Sequence, residues 1–325
     1  MESNTTSIRH DRAGLILCPA CNKSQGEFEK IDFNYYCGRH QVCRSCKEPI
    51  DWWDAISRTI KQKNWLSEIL APIGARLLVL QTFLKPNKEL YINLNDYGIP
   101  SDAKILDINY SPQVDREDQN CLFPIEIHGN TPKRTADIHH LRLYPRPIEE
   151  SKLPGETRLI IAITWVPKTE DDEMWSYLFC AFEAFSRNHF RDCVLPANVA
   201  VESKLLRLLT KYLLQFCGKD RVDDFLENGA TYSYQLNILL QVAAKNLGLP
   251  VLPDHIRGLL NRLRVLRNEV AHSGQPERVL TKEDCADIIT AAYFGFHYLN
   301  LFDITLNDNL TKGSCQGKRL DGDRE

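Results

Sequence analysis

The chain has 325 residues, 43% hydrophobic and 26% charged, with a formal net charge of -3. That length exceeds one ordinary domain, and the apolar share suffices for packed cores. The slight acidity excludes a global electrostatic pull toward nucleic acid or membranes, so any nucleic-acid contact must be local. The opening MESNTTSIRHDR has no apolar run of signal-peptide length. No later segment approaches the roughly 18 uninterrupted apolar residues of a membrane span. A cytoplasmic protein without membrane contact is expected.

Composition shifts divide the chain into a multidomain α+β arrangement. Residues 1–47 are polar, and five of the eleven cysteines lie between Cys18 and Cys46. Two C-x-x-C pairs, Cys18/Cys21 and Cys43/Cys46, each offer two thiolates to one tetrahedral ion. Four thiolates leave no open position for water, so the expected cofactor is a structural zinc, and the segment reads as a small zinc ribbon. Cys37 and His40 are either bystanders or substitute ligands. A cross-braced RING arrangement is excluded because the next cysteine is Cys121. Phe33, Tyr35 and Tyr36, with Lys23, Lys30, Arg39 and Arg44 nearby, suit either base stacking or the core of a module that has little other apolar material. The core reading takes precedence.

Residues 48–75 form a connecting helix. Trp52, Ile56, Ile60, Trp65 and Ile69 recur near helical spacing up to the Pro72–Gly74 break, and this face needs a partner. Residues 76–168 hold six short β-rich runs separated by turn residues, which predicts an antiparallel β sandwich. His139 and His140 are expected on opposite faces of one strand, since adjacent strand residues point apart. Residues 169–305 are helical, in five segments near 170–188, 190–217, 219–247, 254–273 and 282–303. Thr169 is the expected N-cap of the first, with the acidic run after it at the positive end of the helix dipole. Thr281 and Asp284 form a capping box for the last. Cys180, Cys193, Cys217 and Cys285 read as buried small residues, His297 as a packed core histidine, and residues 306–325 as a disordered tail.

On a helical wheel, Ile256, Leu259, Leu260, Leu263, Leu266 and Val270 share a stripe, and Arg267 falls inside it. A guanidinium among leucines is costly unless it is paired or serves an anion. The second helix has a matching anomaly: Glu202 and Asn198 fall within a stripe of Leu195, Val199, Leu205, Leu206, Leu209 and Leu213. The expectation is that Glu202 pairs with Arg267. Arg257, Arg262, Arg264 and Arg267 also concentrate positive charge on one helix. His272 lies about 140 degrees from Arg267 on a straight helix, at its last turn. Arginine with histidine is the minimum set for cleaving RNA without a metal. The imidazole takes the proton of a ribose 2'-hydroxyl, and the guanidinium stabilises charge on the phosphate.

A helical bundle carrying R-N-x-x-x-H near the end of its penultimate long helix, here RNEVAH over 267–272, resembles the HEPN superfamily (higher eukaryotes and prokaryotes nucleotide-binding). The likeness covers the C-terminal helical segment, under half the chain. It implies a metal-independent endoribonuclease, a hydrolase of toxin or antiviral-defence type, working as a homodimer through the helical domain. Arg267, Asn268 and His272 would then be catalytic, with Glu202 and Arg264 in support and RNA as substrate. The products would carry a 2',3'-cyclic phosphate and a 5'-hydroxyl. The alternative is a non-catalytic adaptor whose bundle dimerises and whose zinc ribbon binds nucleic acid or protein.

Overall fold

A computed structural model describes residues 5–12, 18–23, 33–62, 75–113, 121–126, 139–147, 155–168, 172–273 and 279–317. The chain divides into two compact units. One combines Met1–Leu15 with Trp65–Glu170, and the other combines Ile16–Asn64 with Asp171–Glu325. This differs from the serial order of ribbon, linker helix, sandwich and bundle: the N-terminal segment is split between the units, and the helix near residue 56 belongs to the helical one.

The first unit holds seven strands: β1 (Thr6–Arg12), β2 (Arg76–Leu84), β3 (Leu90–Asn93), β4 (Lys104–Gln113), β5 (Leu122–Glu126), β6 (His140–Pro147) and β7 (Thr157–Val166). They form two antiparallel sheets, ordered β1-β2-β7-β4 and β3-β6-β5. All six runs read from residues 76–168 are strands: they are rich in β-branched and other apolar residues between turn signals. In β2 and for most of β7 burial alternates with period two even where the sequence is continuously apolar. The seventh, β1, is contributed from the N-terminal segment and pairs with the edge of β2. Leu78 and Leu80 of β2, Ile161 and Ile163 of β7, and Leu141 and Leu143 of β6 meet in one core shared by both sheets. In β7 even the polar Thr164 is buried, as is Trp165, with the Arg76 guanidinium 5.2 Å from the Trp165 ring centroid. Leu141 and Leu143 are buried while His140, Arg142 and Tyr144 are exposed, which is the predicted alternation.

The second unit contains α1 (Phe33–Tyr36), α2 (Trp52–Gln62), α3 (Asp172–Ser186), α4 (Val194–Leu213), α5 (Lys219–Asp224), a composite helix α6 over residues 232–246, α7 (Asp254–Ser273) and α8 (Lys282–Gly317). The third expected helix is broken: a π-helical turn, Phe225–Gly229, follows α5 and ends at Ala230 in extended backbone, where Thr231 caps α6. Gln235, itself buried, donates to the carbonyls of Leu226 (2.9 Å) and Ala230 (2.8 Å), replacing helical partners lost at the break. The α8 capping box is present, with the Asp284 amide 3.1 Å from Thr281 Oγ1 and the Thr281 amide 3.3 Å from Asp284 Oδ2. The Thr169 cap lies outside the described residues.

α8 runs to Gly317, past residue 305, where a disordered tail was expected. Leu299, Phe302 and Leu306 are buried at spacings of three and four, so the apolar stripe carries the helix on. Polar residues then extend it at low cost because nucleation is already met. The α2 face that needed a partner finds one in α8. Trp53 stacks on Phe294 with centroids 5.5 Å apart, and Lys61 Nζ reaches Asp287 Oδ1 at 2.8 Å. The described part of α2 ends at Gln62, so Trp65 and Ile69 lie beyond it. Of the helical cysteines, Cys193 and Cys285 are buried as expected, but Cys180 and Cys217 are exposed. Met174, Leu178, Ala181 and Phe185 form the buried stripe of α3, and Cys180 falls beside it.

Candidate functional site

The cysteine cluster is built from two turns of the same design. The Cys18 amide donates to the Lys23 carbonyl at 3.1 Å, and the Cys43 amide donates to the Glu48 carbonyl at 2.8 Å. Each turn closes through a residue in the left-handed region, Asn22 (φ 55°) and Lys47 (φ 65°), directly after its second cysteine. The Ser45 and Cys46 amides point at Cys43 Sγ, at 3.3 and 3.5 Å, as donors to a thiolate. All four sulfurs lie within 4.8 Å of one another, with Cys18–Cys46 at 3.7 Å and Cys21–Cys43 at 3.8 Å. A tetrahedron of zinc–sulfur bonds has edges of about 3.8 Å, so the donor set and its spacing fit a four-coordinate ion such as zinc. Cys37 and His40 are exposed and outside this cluster, so they are not substitute ligands: Cys37 is committed to the end of α1, where its amide bonds the Phe33 carbonyl. Among the described residues a single bridge, Val42 with Pro49, accompanies the turns, and the strand nearest in sequence, β1, pairs in the other unit.

The aromatics beside the cluster are core. Tyr35 stacks on Phe294, Tyr36 packs edge-on against Tyr298, and the Tyr36 hydroxyl donates to the Phe294 carbonyl at 2.9 Å. Its oxygen is also 3.1 Å from His297 Nδ1, which makes His297 the packed histidine anticipated. Arg58 of α2 donates to the Pro19 carbonyl inside the first turn. The thiolate module is therefore bolted to α2 and α8.

The second constellation lies among α4, α6 and α7. On α7, Arg257, Asn261, Arg264 and Asn268 recur at spacings of four, three and four, which places them on one side. Ile256, Leu260, Leu263 and Leu266 form the buried side of the same helix, while Leu259, Val270 and Arg267 are half-buried beside them. Asn261 and Asn237 of α6 exchange amide hydrogen bonds at 3.2 and 3.3 Å. Beyond them Tyr232, on α6, is buried between Glu202 of α4 and Arg264: burial raises the Tyr232 hydroxyl well above its ordinary pKa, Glu202 raises it further, and Arg264 opposes.

The predicted Glu202–Arg267 ion pair does not form. Glu202 accepts from Asn198 Nδ2 at 2.7 Å and shares the Tyr232 neighbourhood with Arg264. Arg267 Nη1 donates to Asn268 Oδ1 at 3.0 Å. The reason is rotational. The buried face of α4 is Val194, Asn198, Val201, Leu205 and Leu208, while Leu195 and Leu206 are exposed, so Glu202 sits on the flank of the stripe. His272 is exposed at the end of α7, with no hydrogen bond or ion pair among the described residues. Arg267 and His272 of one chain are thus not brought together.

What distinguishes the seam is its unmet polarity. Among the described residues eight buried side-chain polar atoms lack a partner, and six are here: the Nε of Arg257, Arg264 and Arg267, Asn198 Oδ1, Tyr232 Oη and Gln241 Oε1. An unpartnered buried polar atom costs about 1–3 kcal/mol, so each of these invites a water or ligand; those on α7 are spread along about 15 Å of the helix. Arg257 is tied to Asp254, and Arg262 to Asp284 at 2.6 Å. Arg264 has no hydrogen bond or ion pair among the described residues. Tyr232, Asn237 and Gln241 were missed by sequence reasoning. Their signal is an α6 face in which polar residues replace apolar ones opposite the arginine-bearing helix.

The chain matches no family model, curated protein or solved structure. Among the described residues no helix is long and apolar enough to cross a membrane.

Proposed function

We propose that the protein is a metal-independent endoribonuclease of the HEPN kind, a regulated toxin or antiviral effector that cleaves RNA by 2'-hydroxyl attack. The observation that carries this reading is the arginine-bearing helix α7, on which the buried Nε of Arg257, Arg264 and Arg267 lack acceptors and which ends at the exposed His272. Unmet guanidinium donors are what a phosphodiester supplies acceptors for. His272 would move the proton of the 2'-hydroxyl, Arg267 would hold the phosphate with Arg264 behind it, and Asn268 would orient Arg267 through their hydrogen bond.

Because Arg267 and His272 diverge within one chain, the site is completed by a second copy. A charge-free stretch over residues 228–244 supports such pairing: Tyr234, Ile238 and Val242 recur every four residues along α6 and are exposed. The thiolate module carries a structural zinc in this reading, closed to water and outside the chemistry. The non-catalytic adaptor is favoured by the same lack of contact between Arg267 and His272, and the two readings separate by turnover.

The test incubates purified protein with a mixed RNA pool in EDTA, beside His272→Ala, and examines fragment ends while circular dichroism follows folding. Cleavage to 2',3'-cyclic phosphate and 5'-hydroxyl ends that is lost in the variant is expected. Equal cleavage by both proteins removes His272 from the chemistry. A folded dimer that binds RNA without turnover makes the protein the adaptor.

A further inference from the structure

The three-stranded sheet β3-β6-β5 turns one face to its core and the other outward. The outward face is unusual in composition. Tyr91 is 52% exposed, Phe123 46%, and Ile125 and Tyr144 each 42%. The register makes them one surface: Tyr91 opposes Arg142, Tyr144 opposes Ile125, and Phe123 opposes Arg146. His140 closes the array at one end, its ring stacked on Tyr91 at 5.8 Å and 14°, with Tyr91 Oη 2.7 Å from His140 Nδ1. Exposed large apolar groups on a folded domain mark a binding surface when they are contiguous, and these are.

We propose that this face is a platform for single-stranded RNA. It names the substrate class for the ribonuclease reading, and the choice of RNA over DNA rests on that reading. Three features select the partner. Aromatic rings on a flat sheet offer stacking to bases of any identity, but only to bases not already paired. Outward side chains on one strand repeat about every 6.8 Å, so Phe123, Tyr144 and Tyr91 lie spread along and across the strands, Phe123 and Tyr144 each available to a separate base and Tyr91 with one side already against His140. Of the charges set among the rings, Arg142 is paired with Glu89 and Arg146 on the same central strand is not, among the described residues, which leaves a net positive charge for a phosphate backbone. Glu89 holds the Arg142 guanidinium at 2.5 and 3.2 Å, so that pair is neutral and fixed in place, and the charge offered to a phosphate is that of Arg146. Arg146 has no hydrogen bond or ion pair among the described residues.

A peptide adding to the sheet as an extra strand fits less well. Pro124 lies in β5 at the sheet edge, opposite Pro145, and proline has no amide hydrogen to offer a new strand. Strand addition at the β5 edge is thereby disfavoured, and the edge that remains, β3, is only four residues long.

The test uses the full chain and a fluorescein-labelled 2'-O-methyl RNA of about 12 nucleotides, within the range such platforms cover, followed by anisotropy. This probe lacks the 2'-hydroxyl, so cleavage plays no part: a failed platform leaves the ribonuclease reading standing, and an inactive His272 leaves the platform standing. Phe123→Ala and Tyr144→Ala should each weaken binding about 5- to 150-fold. Arg146→Ala should weaken it and lower the salt slope by about 1. Tyr144→Trp should keep the affinity, with its indole fluorescence quenched by the probe. Absence of binding by the native chain, native affinity in both alanine variants, or preference for the duplex form over the single strand overturns the proposal. If the alanine variants lose far-UV dichroism, the Tyr144→Trp signal decides alone: no quenching at saturating probe overturns it.

Discussion

Lys204 is 1% exposed in α4, and its ammonium is 3.0 Å from Asp303 Oδ2 on α8, while Lys211 reaches the other carboxylate oxygen at 2.7 Å. Burial alone would raise the Asp303 pKa, but the hydrogen bonds and charges of Lys211 and Lys204 hold it below the usual carboxylate range. Removing the carboxylate takes from the buried Lys204 the opposite charge that Asp303 supplies. Asp303→Asn should therefore destabilise the helical unit by about 3–5 kcal/mol, read as a lower melting temperature. A group whose folded pKa is depressed contributes stability above its unfolded value and loses it as pH falls through the folded one. Stability should thus decline on acidification below about pH 4, and the Asp303→Asn variant should lack that component. The sequence does place Lys204 in the Val201–Leu205–Leu208 stripe, but a long flexible cation is ordinarily read as a surface group, and its partner is 99 residues away. Glu202 shows the opposite error. On the wheel it looked central, and a modest rotation of α4 moves it to the flank.

At the scale of elements, α7 and α8 approach closely at Gly295, where a Cβ would stand 2.8 Å from Leu260 Cδ1. Leu260 is itself fully buried, so it has little room to turn away. Gly295→Val should cost about 1–3 kcal/mol through overpacking, measurable by denaturant unfolding. α8 is also the helix against which α2 and the short α1 pack, through Phe294, His297 and Tyr298. Its aromatic run reads from the sequence as a buried helix, and it is one. That its partners come from residues 33–62 does not follow from periodicity, because a stripe declares that it needs covering without saying by what. The break at Ala230–Thr231 did have a local signal, the turn dipeptide Asn228–Gly229 followed by Thr231 as a cap. Residues 219–247 contain no proline, however, and their helical pattern outweighs it; Gln235 supplies the missing hydrogen bonds once the turn has formed.

For the whole molecule, the consequence of this packing is that the thiolate module is part of the helical unit. Metal removal should therefore reach beyond the module. Stripping the cluster with a thiol-directed chelator, or Cys43→Ser, should lower the melting temperature of the helical unit while leaving the β-unit transition in place, seen as two transitions moving apart by calorimetry. An unchanged helical transition in a metal-free protein would show the module to be a passive appendage. It also means that ribonuclease assays in EDTA need a folding control.

The six strands of residues 76–166, the helical character of most of the C-terminal part and the four clustered thiols were legible in the sequence. Period-two and period-3.6 patterns and the C-x-x-C spacing are local properties, set by which side chains share a face within a few residues. The pairing of β1 with β2, the docking of the thiolate turns on α8, the Lys204–Asp303 pair, the Tyr232–Arg264–Glu202 grouping and the aromatic face of β3-β6-β5 were decided only by tertiary structure. Each joins residues distant in sequence, and contact between them depends on helix rotation and strand register, which a one-dimensional pattern leaves open.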